Sequence, residues 1–224
     1  MFHAFILAAA TAAPPKPLRH MEFSFHFSGT GESIFHYSGI GTTDPGVTTM
    51  FTTGGYDGKI YVDVMSLGPN DTLVLNIRQE VPLAHSVDVP AAQLMTYPTG
   101  QVDLPPDSIA LSEPELNLAR FLGRKFINGD YLDEKNHWHI DMKPPGGVSV
   151  ATDFTINKNT DGILDITETQ KVTAQMSNMR TQGHISYDMN RTVPLTIHEE
   201  KIGDGIDLRF DYTLTADSLA PAKP

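Results

Sequence analysis

Histidines and carboxylates are the side chains left to carry site chemistry in this chain, because its 224 residues include no cysteine. Thiolate catalysis, disulfide scaffolds and Cys-ligated zinc or iron–sulfur centres are therefore excluded. The densest cluster is His137-Trp138-His139. On a strand, His137 and His139 point to one face about 6–7 Å apart, a spacing that can chelate one metal ion. A third ligand can come from His26, His36, Asp141 or Glu199, and such a centre would make the protein a metal-dependent enzyme. The competing reading is a solvated face that happens to bear two histidines.

A second metal-like pattern runs from Asn157 through Asn159 and Asp161-Gly162 to Glu168, which matches calcium-loop spacing with Asn where the first Asp is usual. Its flanks alternate like strands, however, and a hairpin turn at Asp161-Gly162 explains the glycine without an ion. His198-Glu199-Glu200-Lys201-Ile202 begins like a zinc-protease helix but ends in Ile, so the second histidine is missing. Asp207 and Asp211 bracket Arg209 as a surface ion ladder would, and Asp130/Asp133 form another acid pair. Nucleophile elbows, P-loops and dinucleotide fingerprints are absent, and no cofactor is implied.

The elements that position these groups are mostly strands. Ile206, Leu208, Phe210, Tyr212 and Leu214 alternate with polar residues, as do Phe23, Phe25 and Phe27, then Ile60, Val62 and Val64. The period recurs at Leu73, Leu75 and Ile77, at Val150, Thr152, Phe154 and Ile156, at Ile185 and Tyr187, and at Val193, Leu195 and Ile197. Period-two alternation places one face against a core and the other in water. Asp57-Gly58, Asp161-Gly162 and Asp204-Gly205 read as hairpin turns, Gly29-Thr30-Gly31 as a break before a short strand, and Ala91–Met95 as one helical turn. Ser112 with Glu115 forms a capping box, Pro114 fits a first turn, and an apolar stripe follows, so a helix is expected over about 112–127. The fold class is therefore mainly β: one large curved antiparallel sheet, half-barrel or barrel, of roughly ten strands, with one amphipathic helix packed on it.

Residues 1–13 carry no charged side chain and end in small residues before Pro14 and Pro15, the layout of a signal peptide. Residues 14–20 form a Pro-rich lead-in, 21–216 a single β-rich domain, and 217–224 a tail. The expected location is periplasmic or extracellular. A net charge of −11 argues against nucleic-acid partners, which need clustered Lys and Arg. No stretch is apolar for long enough to be a transmembrane helix.

Strand number and export together resemble bacterial envelope carriers of the lipoprotein-localisation type, whose open half-barrel holds acyl chains under helices. A closed lipocalin-like or isoprenoid-binding barrel is the rival architecture. The resemblance implies a non-enzymatic protein with a lipid or other amphiphile as partner. The groove would lie between the sheet and the helix, with Leu118, Phe121, Leu122 and Phe126 on one wall and Trp138, Phe154, Ile185 and Tyr187 on the other. The competing reading is that these same residues close a dry core with no groove, and a structural or adhesive surface module is the reading that remains if no cavity exists.

Overall fold

The computed structural model describes residues 16–36, 47–80, 91–104, 111–126, 136–142, 149–174, 177–203 and 205–219. Five strands precede the helix: β1 (Arg19–His36), β2 (Val47–Leu67), β3 (Leu73–Glu80), β4 (Ala92–Thr96) and β5 (Val102–Asp103). The helix α1 spans Glu113–Ala119. Six strands follow it: β6 (His137–Met142), β7 (Ser149–Thr160), β8 (Ile163–Ala174), β9 (Ser177–Asp188), β10 (Val193–Gly203) and β11 (Ile206–Asp217). All join one antiparallel sheet of order β5-β4-β3-β2-β1-β11-β10-β9-β8-β7-β6. The sheet is open, with β5 and β6 at its two ends, so the mainly β expectation holds and the closed-barrel alternative does not.

Two meanders make up this order, one on each side of α1, and they meet where β1 pairs with β11. Alternation decides which face is dry. Met21, Phe23, Phe25 and Phe27 of β1 are buried with Ile60, Val62 and Val64 of β2 and with Leu208, Phe210 and Tyr212 of β11. The intervening His26, Asp57, Arg209 and Asp211 face solvent. Helix α1 and the turn after it lie on the apolar face, where Leu118, Phe121 and Leu122 join the same core. Burial of each such side chain contributes about 1.5–3 kcal/mol, and this packing, not the propensity of a two-turn helix, holds α1 in place.

Several local expectations are corrected. Helix α1 ends at Ala119; Arg120–Gly123 continue as turns, with Gly123 at φ +72°, so the apolar stripe beyond residue 119 is not helical. Asp57-Gly58 lies inside β2, paired with Phe25 and His26 of β1, and makes no hairpin. Gly29-Thr30-Gly31 runs through β1 without a break, because backbone pairing with β2 continues to His36. Ala91–Met95 falls largely in strand β4, whose pairing with β3 overrides its helical composition. The Asp161-Gly162 turn is present, with both residues at positive φ (53° and 84°) as a type I′ hairpin requires. Residues 1–15 and 220–224, and with them the expected signal segment and the end of the tail, lie outside the described residues, as do the acid pair Asp130 and Asp133 and the side chain of His36.

Candidate functional site

Every expected groove residue sits in one place, on the apolar face beneath α1 and its following turn. Leu118, Phe121, Leu122 and Phe126 from the covering segment meet Trp138, Phe154, Ile185 and Tyr187 from the sheet in one buried cluster. The two walls touch. The Phe126 ring stands 4.8 Å from that of Tyr187 and 5.6 Å from that of Phe154, both edge-on, and Phe154 lies 5.7 Å from Trp138. The covering segment therefore fills the space between the walls with its own side chains.

Polar bonds tie this cover down. Ser112 Oγ accepts from the Glu115 amide and donates to Gln79 Oε1 of β3, while Glu115 Oε2 accepts from the Ser112 amide at 2.8 Å. Tyr212 Oη donates to the Pro114 carbonyl at 3.1 Å, and Tyr187 Oη to the Arg124 carbonyl at 2.6 Å. Burial pushes both phenols up, so they remain donors. Lys201 Nζ meets Glu113 Oε1 at 2.9 Å, and the Gly123 amide donates to the Thr192 carbonyl.

The most unusual chemistry lies at the centre of the interface. Register aligns one row across the sheet: Trp138, Phe154, Glu168, Gly183, Glu199, Phe210, Phe27 and Tyr56. Two fully buried carboxylates, Glu168 and Glu199, thus interrupt an otherwise aromatic row, with the side-chain-free Gly183 between them. Arg120 of the cover reaches both: Nη2 donates to Glu168 Oε2 at 2.9 Å and to Glu199 Oε1. Asn117 Nδ2 donates to Glu199 Oε2. Burial raises the Glu168 carboxyl above its ordinary range, against the pull of Arg120. Burial also works to lower Arg120, but Glu168 and Glu199 outweigh it and the guanidinium stays charged. Arg124, 5% exposed, lies over the rings of Phe154, Trp138 and Phe126 at 4.3, 5.3 and 5.0 Å; burial lowers it to about 10. Arg120 Nε, Arg124 Nε, Glu168 Oε1 and Thr181 Oγ1 are buried without hydrogen-bond partners.

The other candidates are placed elsewhere. His137 and His139 do share the outer face of the edge strand β6, but both rings bond to a carboxylate: His137 Nε2 to Asp153 Oδ1 at 3.0 Å and His139 Nδ1 to the same oxygen at 2.6 Å. His139 Nε2 lies 3.2 Å from Asp141 Oδ2, and the side-chain hydrogen bonds to Asp153 and then Asp141 raise its pKa. Of the other third-ligand candidates, His26 pairs with Asp57 on the outer face, and Glu199 is on the opposite face with Arg120. Among the described residues no three His, Asp or Glu side chains are arranged to hold a metal ion. The calcium-loop residues are not brought together. Asn157 donates to Thr167 Oγ1, Asn159 Oδ1 accepts from the Gly162 amide and Asp161 is exposed in the turn, whereas Glu168 is buried under Arg120.

Arg120, Arg124 and the ionic role of Glu168 and Glu199 were absent from the sequence expectations. A signal existed: Glu168 is in phase with Leu164 and Ile166, and Glu199 with Ile197, all inward positions of their strands. A carboxylate in phase with core residues requires a buried cation.

No protein-family model matches the sequence, and no curated protein matches it. Among solved structures it is similar to lipovitellin, in a structure described as lipid–protein interactions in lipovitellin, with a TM-score of 0.50 and 12% identity. The match covers 94% of this chain and 26% of that chain, so this protein spans about a quarter of the lipovitellin chain it resembles. At that identity the likeness is one of fold.

Proposed function

We propose that this protein is a non-enzymatic binder of a lipid or other amphiphile, held on the apolar face of its open sheet, and that it acts in the periplasm or outside the cell. One observation carries the binding reading. Among the described residues, the apolar face of an eleven-stranded open sheet is covered by a two-turn helix and the turns after it, held by apolar packing and by polar bonds to the sheet, where a sandwich would supply a second sheet. The lipovitellin structure of similar fold is described by its lipid–protein interactions, which supports a lipid as the ligand. The charge-free residues 1–13 support export.

For an acyl chain to lie against Trp138 and Ile185, the cover must lift and the chain must replace Leu118, Phe121, Leu122 and Phe126. Trp138 is the protein's one tryptophan and lies in that wall, so it reports directly. Phospholipids or fatty acids with brominated acyl chains are expected to quench its fluorescence in a saturable manner. Unquenched emission across the titration, together with no amphiphile in solvent extracts of the purified protein, would refute the reading. Detection of the intact, uncleaved residues 1–13 in the cytoplasmic fraction would refute the export proposal.

A further inference from the structure

We propose that the seat now held by Arg120 is the head-group site of that ligand, and that the ligand is an amphiphile with a cationic head, an ammonium or guanidinium group. This inference rests on the lipid reading above. Glu168 and Glu199 belong to the sheet, not to the cover, and both are fully buried in phase with apolar neighbours. A cover needing only adhesion would be served as well by aliphatic residues, because replacing a buried ionic triad with apolar side chains is often neutral or stabilising.

Arg120 also fills the seat incompletely. A single nitrogen, Nη2, serves both carboxylates, while Arg120 Nε and Glu168 Oε1 have no partner. The seat therefore offers more acceptor capacity than the guanidinium uses. Aromatic faces flank it in register, Phe154 beside Glu168 and Phe210 beside Glu199. Cations already lie on rings at this level: Arg120 over Phe121 at 4.7 Å and Lys201 over Phe210 at 4.9 Å. Ring faces and carboxylates are the two surfaces that recognise alkylammonium groups.

Lifting the cover removes Arg120, Arg124 and Glu113 together. Glu168, Glu199 and Lys201 remain on the sheet, leaving it one positive charge short. An ammonium head restores the balance, and its alkyl chain takes the place of Leu118, Phe121 and Leu122. A carboxylate head would face two buried carboxylates.

The test compares dodecyltrimethylammonium with dodecanoate, both below their micelle concentrations, by Trp138 fluorescence on the 224-residue chain. The cationic probe is expected to bind about tenfold more tightly or better. Glu168→Gln/Glu199→Gln should still bind both but bring that ratio to about one. Arg120→Ala should be destabilised and regain its melting temperature with the cationic probe, not with dodecanoate. Equal affinities, or a preference for dodecanoate, overturn this inference and leave the lipid reading standing. Binding of neither probe, with no quenching by brominated lipids, removes both. If Arg120→Ala does not fold, the wild-type ratio and the Gln/Gln variant decide.

Discussion

Replacing Arg120 by Met keeps an unbranched apolar stem and deletes the charge that two buried carboxylates share. Glu168 then has no donor on either oxygen, since Oε1 has none already, and Glu199 keeps only Asn117. Removing one partner of a buried ion pair costs about 3–5 kcal/mol. For a chain of this size that is a fall in Tm of about 6–20 °C. The pH dependence has a definite sign. Burial already holds the Glu168 carboxyl above its ordinary range, and loss of Arg120 raises it further. The folded variant then binds a proton more tightly than the unfolded chain. It is relieved as pH falls through the folded value, with the full gain reached below the unfolded value of about 4.3. Urea denaturation at pH 7 and pH 5 should therefore show a deficit that shrinks on acidification. The triple variant Arg120→Met/Glu168→Leu/Glu199→Leu should return to within about 1 kcal/mol of the parent, or exceed it. A single-variant cost below about 1 kcal/mol at pH 7, or a deficit that grows at pH 5, would refute the reasoning.

Three further outcomes are expected. Arg19 pairs through Nε and Nη2 with the two oxygens of Asp217 (2.9 and 2.7 Å) and donates to the Arg191 carbonyl, so Arg19→Ala should cost about 2–4 kcal/mol in denaturant melts. Burial works to raise the Asp217 carboxyl, but the Arg19 hydrogen bond and the nearby arginines hold it below its ordinary range. Its contribution is present above the unfolded value of about 3.9 and is lost as pH falls through the folded one, so the variant should flatten the acid limb of the stability profile. Ser112→Ala removes the capping box and the bond to Gln79 and should cost about 1–2 kcal/mol, read as a lower denaturation midpoint with unchanged slope. Gly162→Ala places a Cβ 2.5 Å from Asn190 Nδ2 at φ +84°; a loss of about 1–2 kcal/mol is expected, and a neutral result would contradict the turn assignment.

Strand phase was legible because it needs only neighbours in sequence. Phe23, Phe25 and Phe27, or Leu208, Phe210 and Tyr212, declare their inward face without reference to partners. The same logic assembled the groove walls, because Leu118 and Phe121 had to find an apolar surface. What sequence spacing concealed was set by pairing at long range. Asp57-Gly58 has turn chemistry, yet it lies within a β1–β2 ladder that continues well beyond it. Residues Arg120–Phe126 carry a helical stripe, but the Gly123 amide is taken by Thr192 and that of Lys125 by Pro98, which unwinds the segment onto the sheet. Glu168 fitted a calcium spacing because β7 and β8 fold back on each other there; its true partner, Arg120, is 48 residues away.

The seam between β1 and β11 has a consequence for assembly. Every other pairing in the sheet joins strands consecutive in the chain, so the contacts within each meander are nearer in sequence than those of the seam. Closing the seam joins residues as far apart as Met21 and Asp217, and until it closes, two long edges stand open, one of them lined with Phe23, Phe25 and Phe27. The same edges are complementary between copies. At high concentration during refolding, the first meander of one molecule can dock with the second meander of another, recreating every native contact of the seam in an exchanged dimer. The protein thus has a built-in route to exchanging halves, governed by dilution and by how fast the aromatic seam of Phe25, Phe27, Phe210 and Tyr212 finds its own partner first.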